Sequence, residues 1–477
     1  MINDFFNILL PQACLGLFII IQLILGMIVS PRYSRFARII SAVGIALSTL
    51  LLTTVQTEPQ YFGLRNSIMS DSYTLLFHFI ILLCGFFVVL LTRNLTNRLK
   101  QHAYTLQAIL LTAILGAMNT ISANDFLTMF ISIELLSFPT YFLIACEKGY
   151  KSKEASFKYL ITSAVSTGIF LFGVSYLYGI TGSINIEEIY EIVVESNPSL
   201  IYSFACIMIV LGLIAKLAVL PFANWIIDVY KGCETSILAF LSTIPKIALF
   251  GILCRLLVFP LENTFELAFI IGVLALITGL WANTFAIRER NLKVIFACSS
   301  AANASYILLA AGLVSVYNLS TVIFYLICYV LMNITVFTYL NIAEANNIWM
   351  EADSFKGLFH KNNWLTLSYT IAVLGLAGLP ITSGFIAKIY LFSAIAHSGL
   401  VFIPFLIILL ILTVIALFYY LKIIFPLFSD YDKNEPREFK ALYSQKFIIA
   451  ITTLATILIG IYPEKLVELC KFIAYNI

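Results

Sequence analysis

Long apolar stretches alternate with short polar loops along almost the whole chain. Most of these stretches contain 18 or more residues, which is about the length that a helix needs to cross the hydrocarbon layer of a membrane. The apolar segments are 10–29, 37–55, 72–92, 104–121, 124–146, 158–180, 201–222, 235–256, 265–287, 293–313, 316–343, 364–396, 401–426 and 446–462. The pattern predicts an all-α polytopic membrane protein, with about fourteen transmembrane helices in a single integral membrane domain spanning 1–477.

Proline interrupts the seventh and twelfth segments at similar places. Pro221 follows Lys216-Leu-Ala-Val-Leu, and Pro380 follows Gly375-Leu-Ala-Gly-Leu. A proline inside a helix removes a backbone hydrogen bond and clashes with the preceding turn, so we expect both helices to be broken there. The two sites lie five segments apart, an odd number, so the corresponding helices should cross the membrane in opposite directions. This predicts two inverted five-helix repeats, 104–256 and 265–426, whereas ordinary proline kinks are the alternative.

Basic residues are distributed unevenly between alternate loops. If the N-terminus lies outside, nineteen of the 28 Lys and Arg residues fall in inside loops and three fall in outside segments. Cytoplasmic loops of membrane proteins carry the excess of positive charge. The pattern therefore predicts that both termini lie on the outer face and that the loops over 93–103 and 147–157 face the cytoplasm.

Four charged residues lie well inside apolar segments: Glu134, Lys216, Lys246 and Lys388. Each costs about 2.5–3.5 kcal/mol near the centre of a membrane helix, so such residues usually serve a function. A buried lysine whose carboxylate neighbour can move is a group that loads and releases a proton. Static Lys–Glu pairing between helices is the alternative, but one carboxylate cannot pair three lysines. We therefore expect a proton relay.

Other ionisable residues have simpler interpretations. Lys422 and Arg255 lie near the ends of segments, where a long side chain can reach the interface, and we expect both to do so. Lys158 opens the sixth segment beside a basic loop, so the pattern alone indicates an orientation charge. His78 and His397 are interpreted as packing or edge residues.

Composition agrees with a membrane protein and indicates little other chemistry. Hydrophobic residues make up 61% of the chain and charged residues 11%, against about 45–50% and 25% in soluble domains. The nine cysteines form no C-x-x-C pair, and no phosphate-binding glycine motif follows a strand pattern. We expect the chain to hold no nucleotide, metal or flavin.

Several motifs together resemble one family of membrane subunits. They are Glu134-Leu-Leu-Ser-Phe-Pro-Thr-Tyr141, Lys153-Glu-Ala-Ser-Phe-Lys158, Lys216-Leu-Ala-Val-Leu-Pro-Phe222, Leu241-Ser-Thr-Ile-Pro-Lys246 and Leu376-Ala-Gly-Leu-Pro-Ile-Thr-Ser-Gly-Phe-Ile-Ala-Lys388. With them, the chain resembles the antiporter-like membrane subunits of bacterial proton-translocating NADH:quinone oxidoreductase (respiratory complex I), in their N-type form. The resemblance covers most of the chain and is densest from about 120 to 430.

The resemblance implies a role for each candidate residue. Glu134 would be the modulating carboxylate that partners Lys216, the channel lysine that loads a proton. Lys158, taken above as an orientation charge, would be a channel residue. Lys246 would be the central relay, and Lys388 would be the terminal group facing the exit.

The resemblance also implies where the other parts of the enzyme lie. The chain would be a translocase subunit without a redox centre, while NADH, FMN, iron–sulfur clusters and quinone would be bound by other subunits. Its partners would be the lipid bilayer and other membrane subunits, namely the M-type antiporter-like subunit and the K, J and A types, and no nucleic acid. The expected location is the bacterial cytoplasmic (inner) membrane, with the mitochondrial inner membrane as the alternative.

The chain departs from the family pattern beside the channel lysine. Ala223 stands where the family usually has histidine, Ile226-Ile227 where it has Thr-Pro, and Cys233-Glu234 where it has Ala-Pro. Two other functions are considered: a subunit of a multi-subunit cation/proton antiporter, which shares the charged helices, and a stand-alone secondary transporter for a small organic solute. The second would need a polar pocket at the broken helices, and aliphatic residues surround them here.

Overall fold

The computed structural model describes residues 8–55, 61–64, 66–147, 149–195, 200–258, 265–313, 315–430 and 439–476. Four of the loop charges counted above, Arg65, Lys148, Lys433 and Arg437, lie outside these residues. Within the described ranges, twelve helices are long and apolar enough to cross a membrane, and two shorter apolar helices belong to the broken segments. The all-α polytopic fold is confirmed, and the number of fourteen crossings stays a prediction.

The helices follow the predicted segments closely. In chain order they are α1 (Leu10–Ile28), α2 (Ser34–Leu51), α3 (Ser72–Leu91), α4 (Arg93–Arg98), α5 (Ala103–Ser122), α6 (Phe126–Ala145), α7 (Tyr150–Thr181), α8 (Ile186–Glu195), α9 (Leu200–Lys216), α10 (Trp225–Gly232), α11 (Thr235–Val258), α12 (Phe265–Arg288), α13 (Leu292–Gly312), α14 (Val316–Ala345), α15 (Leu358–Lys361), α16 (Asn363–Ala377), α17 (Ser383–His397), α18 (Ile403–Phe428), α19 (Tyr443–Ile461) and α20 (Glu464–Tyr475). Helix α7 begins eight residues before Lys158, so this lysine lies within the helix and does not open it.

Polar caps fix the starts of several spans. The Asp71 carboxylate accepts the Thr74 amide at the start of α3, and the Thr74 hydroxyl closes a reciprocal capping box. Asp125 caps α6 by accepting the amide of Thr128. Such caps satisfy amides that the first turn of a helix leaves without intrahelical partners. They explain why these helices begin where the apolar runs begin.

A short hairpin lies at one end of the helix bundle. Strand β1 (Tyr61–Gly63) pairs antiparallel with β2 (Ile68–Ser70), and Ile68 also forms a bridge to Ala123. A further bridge joins Asp125 to Asn185. These contacts tie together the ends of α3, α5, α6 and α7, and we call this end of the bundle the hairpin end.

Three helices form the centre of the bundle. Almost every residue of α11, α13 and α14 is buried, whereas most residues of α1, α2, α18 and α19 are at least partly exposed. Both buried and lipid-facing helices of a membrane protein are apolar, so burial by neighbouring helices, and not hydrophobicity, marks the centre of the bundle. The central lysine Lys246 therefore lies on one of the most deeply buried helices that the structure describes.

Both predicted helix breaks are present. Helix α9 of the seventh segment is separated by 217–224 from α10, which lies beyond the predicted end at 222, and α16 and α17 of the twelfth segment are separated by 378–382. Ala218 and Ile381 have positive φ within the breaks. The amide of Leu220 in the first break donates to the Thr278 hydroxyl of α12 at 3.0 Å, which satisfies a backbone group that the break leaves free. Each predicted repeat range has its broken helix in fourth place among five, and the inverted relation between the ranges stays a prediction.

Candidate functional site

Glu134 and Lys216 form an ion pair beside the first break. Lys216 is the last residue of α9, and its Nζ lies 3.0 Å from the Glu134 Oε1 on α6. The ammonium also donates to the hydroxyls of Ser163 at 2.8 Å and Ser137 at 3.3 Å. The Thr167 hydroxyl donates to the same carboxylate oxygen at 2.6 Å. The pair expected from the sequence is therefore assembled, and three hydroxyl groups from α6 and α7 hold it.

The two members of this pair differ in exposure. The Lys216 side chain is 5% exposed, and the Glu134 side chain is 18% exposed because it borders an apolar surface groove between α5 and α6. A charge that is partly accessible is easier to move or to neutralise than one that is wholly enclosed. The carboxylate is thus the adjustable member of the pair.

Lys158 lies in a separate, partly exposed group. Its Nζ is 2.8 Å from a carboxylate oxygen of Glu154, one turn earlier on α7, and 2.8 Å from the Asp228 Oδ2 on α10. The Glu154–Lys158 spacing of four residues is a visible signal for such a pair on one helix face. The sequence did not reveal that Asp228 joins it. Lys158 thus connects α7 to the second half of the broken helix.

Lys246 is buried without an ion-pair partner among the described residues. Its Nζ donates to the backbone carbonyl of Ser300 at 2.5 Å and lies 5.6 Å from the centre of the Tyr329 ring. The Ser300 and Tyr329 hydroxyls share a 2.9 Å hydrogen bond, and the Tyr230 hydroxyl donates to the Ser300 hydroxyl at 3.4 Å. A carbonyl and an aromatic face stabilise the ammonium there, as neutral groups can.

A narrow cavity links the first two lysines. Lys216 and Lys246 both line it, together with Tyr159, Trp225 and Tyr230. The cavity offers about 10 Å³ to the centres of water molecules, close to the minimum for one water. The structure thus places Lys216 and Lys246 on one small cavity, and Ala223 is not among the residues that line it.

Lys388 lies against the second break. Its Nζ donates to the carbonyls of Leu376 and Ala377 at 2.9 Å each, at the end of α16, and lies 5.4 Å from the centre of the Tyr306 ring. The last carbonyls of a helix have no intrahelical partner and carry partial negative charge. Lys388 on α17 therefore binds the end of the helix that precedes it.

Uncharged polar residues, which were not among the predicted site residues, occupy the core between Lys246 and Lys388. Asn303 accepts from the Tyr325 hydroxyl at 2.6 Å and donates to the Ser299 carbonyl at 2.8 Å. The Ser299 and Tyr420 hydroxyls lie 2.5 Å apart. The available signal was the spacing of Ser299, Ser300 and Asn303 on one face of an otherwise apolar span.

The prediction for Arg255 is wrong. The side chain is 1% exposed, with its Nη2 2.6 Å from the Asp71 Oδ2 and its Nη1 2.9 Å from the Ile121 carbonyl. It also lies 4.9 Å from the centre of the Tyr73 ring. Its partner caps a helix far away in the chain, so sequence position alone suggested an exposed charge. Lys422, by contrast, is exposed and bonds carbonyls at the end of α12, as expected.

The histidines at 78 and 397 have different surroundings. The His78 Nε2 lies 2.9 Å from the Met118 carbonyl and 3.0 Å from the Ser122 hydroxyl, so this buried residue has polar partners that the sequence did not show. His397 is exposed at the end of α17. In the part of the chain that the structure describes, no cluster of three His, Cys, Asp or Glu residues could hold a metal ion. The expectation of a chain without cofactors stays a prediction.

The family model described as NADH:quinone oxidoreductase/Mrp antiporter, TM, matches residues 123–416, more than half of the chain and the range that contains all five candidate residues. The chain belongs to this family. A relative in the family, NADH-quinone oxidoreductase subunit N of Anoxybacillus flavithermus, is 32% identical over 96% of this chain and 94% of its own length.

Solved structures related to the family have the same fold. A chain of respiratory complex I from Thermus thermophilus superposes with a TM-score of 0.82 at 25% identity, covering 96% of this chain and 98% of that one. A chain of the Mrp complex from Dietzia superposes with a TM-score of 0.84, covering 98% and 97%, and its 18% identity shows a shared fold alone.

Proposed function

We propose that this chain is a proton-translocating membrane subunit of NADH:quinone oxidoreductase that corresponds to subunit N. The whole-length similarity to a subunit N relative supports the assignment. The observation that carries the mechanism is the Glu134–Lys216 ion pair, which lies where α9 ends inside the bundle. A buried ammonium whose stability depends on one adjustable carboxylate is suited to loading and releasing a proton.

The first step of the proposed relay is a change in this pair. While Glu134 remains ionised at 3.0 Å, it stabilises the protonated form of Lys216. When the carboxylate moves away or is neutralised, the ammonium loses its partner and gives up its proton. The Ser163 and Ser137 hydroxyls then keep the neutral amine hydrogen-bonded.

The proton then passes along the core of the bundle. The cavity shared by Lys216 and Lys246 provides the first transfer, through water. From Lys246 the hydroxyls and amides around Ser300 and Tyr329 lead towards Lys388, which is the terminal group. Each transfer requires hydrogen-bonded intermediates because a bare proton cannot cross apolar packing.

Lys158 acts at the other side of Lys216. Its two carboxylate partners, Glu154 and Asp228, connect α7 to α10 and place several titratable groups near the broken helix. We propose that this partly exposed group biases the position of α10 and thereby the exchange of protons at Lys216.

The surroundings of the chain follow from the same assignment. It is a multi-pass membrane protein, and we infer a location in the bacterial cytoplasmic membrane with both termini on the outer face. Its neighbours are other membrane subunits, with the M-type subunit and the K, J and A types as the specific proposal. Electrons pass from NADH through FMN and iron–sulfur clusters to quinone in other subunits, and this chain converts the resulting conformational change into proton transfer.

The test compares the buried lysine Lys246 with the exposed lysine Lys422. Lys246→Met should abolish most NADH-driven proton pumping because it removes the central relay group, whereas Lys422→Met should leave pumping nearly unchanged because this exposed lysine only bonds helix-end carbonyls. Pumping is measured in inverted membrane vesicles and divided by the amount of assembled complex. Equal pumping by the two variants would reject the relay. Proton transport driven by a sodium gradient without NADH would instead favour a cation/proton antiporter subunit.

A further inference from the structure

A second group of charged residues lies at the end of the bundle opposite the hairpin end. The Lys293 ammonium at the start of α13 is 2.7 Å from the Glu344 carboxylate at the end of α14 and donates to the Cys233 carbonyl at 2.8 Å. The other Glu344 oxygen accepts the Thr235 amide at 2.9 Å, at the start of α11. The three central helices therefore meet at one polar cluster.

Glu234 lies in this cluster with an unsatisfied carboxylate oxygen. The residue is 6% exposed, and its Oε2 receives no hydrogen bond from any residue that the structure describes. The nearest cationic atom in the described ion pairs is the Arg98 Nη2, at 3.7 Å. The hydroxyls of Thr235 and Ser236 are also buried without partners in the described part of the chain. Buried polar groups are ordinarily bonded to protein or to water, so three consecutive ones indicate a place that water reaches.

The helix faces below this cluster lead to Lys246. Thr235, Ser242 and Lys246 follow a seven- and four-residue spacing, which places them on one face of α11. On α13, Lys293 and Ser300 are seven residues apart, and the Ser300 carbonyl accepts the bond from Lys246. The two faces thus run from the charged cluster to the central lysine.

Aromatic rings close this route between its two ends. The Phe337 ring of α14 lies 6.1 Å from that of Tyr230 and 6.0 Å from that of Phe296. The Tyr230 hydroxyl lies within reach of Ser300, on the side of Lys246. A plug of three rings can separate two hydrated regions and pass protons when one ring moves.

We propose that Glu234 is a second proton-uptake group of this chain, which supplies Lys246 from the side of the basic loops in addition to the transfer from Lys216. The proposal rests on the proton-translocating function above. In the step, the Glu234 carboxylic acid gives its proton through water to the neutral Lys246 amine, which leaves a carboxylate and an ammonium. The carboxylate then takes a proton from the aqueous phase. A proline stands at this position in the family pattern, so the uptake group is a property of this chain.

The electrostatic surroundings suit that task at neutral pH. Burial raises the pKa of Glu234 to about 8, and the charges of Glu344 and Glu147 add to the effect, while Arg98 and Lys293 oppose it. A carboxyl group with this pKa carries a proton at pH 7 and loses it as the pH rises through 8. The loaded fraction falls about tenfold between pH 7 and pH 9.

The experiment measures proton pumping against pH by the whole complex in inverted vesicles. Rates are divided by the NADH oxidation rate with an uncoupler and by the amount of assembled complex. The unsubstituted chain should show a fall centred near pH 8. Glu234→Gln should lower pumping at pH 7 about fivefold or more and remove that fall. Glu147→Gln is the matched control: it removes a neighbouring carboxylate charge from a more exposed side chain, so it should retain the pumping rate at pH 7 and move the fall only slightly to lower pH.

Two further variants keep the test decisive. Glu234→His is used if Glu234→Gln assembles poorly. In Glu234→His the fall in the pumping rate should move towards pH 6.5, the ordinary pKa of histidine. A fall that stays near pH 8 in Glu234→His, or a normal profile in well-assembled Glu234→Gln, would overturn the proposal. Lys246→Met distinguishes failure of the relay from failure of the uptake role. If this variant pumps normally, the relay itself is rejected. If it does not pump while Glu234→Gln pumps normally, only the uptake role of Glu234 is rejected.

Discussion

Neutralising Asp71 should destabilise the subunit because the buried guanidinium of Arg255 would lose its ion-pair partner. Asp71 and Arg255 have side chains 2% and 1% exposed, and their charged atoms lie 2.6 Å apart. Asp71 also caps α3 through its other oxygen, which accepts the Thr74 amide at 2.7 Å. Asp71→Asn removes the charge and keeps a good capping residue, so it isolates the ion pair from the cap.

The expected loss can be worked out from this geometry. Removing one member of a buried pair costs about 3–5 kcal/mol, since the remaining charge stays buried. Loss of a helix cap costs about 1 kcal/mol and is avoided by asparagine, so Asp71→Ala should be worse than Asp71→Asn by about that amount. Arg255→Met should cost about as much as Asp71→Asn, while the double variant Asp71→Asn/Arg255→Met should cost clearly less than the sum of the two, because no unpaired charge remains.

The assay is thermal inactivation of NADH:quinone reductase activity in the solubilised complex, together with the amount of assembled complex in membranes. Arg98→Met is the control, because this guanidinium is about half exposed and lies 3.5–3.7 Å from its carboxylate neighbours, a pair worth about 1 kcal/mol or less. Equal stability of Asp71→Asn and Arg98→Met would refute the reasoning, as would strictly additive losses in the double variant.

Three other outcomes are expected. Glu134→Gln should lower proton pumping at least about tenfold at normal assembly, whereas Glu134→Asp should retain more of the pumping because aspartate keeps the negative charge. Equal loss of pumping in both variants, together with lost assembly, would indicate a static pair. Gly378→Ala should impair pumping and heat stability, because Gly378 has φ +85° and a Cβ there would lie 2.7 Å from the Lys388 Cδ; unchanged pumping would show that the position of this lysine is not critical. Cysteines placed by Lys100→Cys and Lys151→Cys should resist an impermeant maleimide added outside intact cells, and labelling above the unsubstituted chain would reverse the orientation.

Much of the fold could be predicted because membrane helices follow from local sequence. Hydrophobic length located the spans, and Pro221 and Pro380 located both breaks, since proline acts on its own helix. The Glu134–Lys216 pair could be expected because a buried lysine and a buried carboxylate gain by meeting. In each case the deciding physical effect involves few residues, and their character is visible in the chain itself.

The remaining features depend on contacts between distant segments. Arg255 looked exposed because its position near a helix end gives no information about Asp71, 184 residues away. The partners of Lys246 and Lys388 are mostly backbone carbonyls, which every residue has, so no residue type indicates them. The hairpin over 61–70 is only a few residues long and produced no alternating pattern to detect.

The bond between Lys388 and the end of α16 has a mechanical consequence. A carboxylate such as that of Glu134 loses its charge when it binds a proton, but the carbonyls of Leu376 and Ala377 cannot be protonated in this way. Their attraction for the Lys388 ammonium therefore depends on distance alone. The five residues 378–382 that join α16 to α17 therefore set this distance. A cross-link that fixes the two half-helices together would therefore hold the Lys388 amine against these carbonyls, even though every titratable group in the protein is left intact.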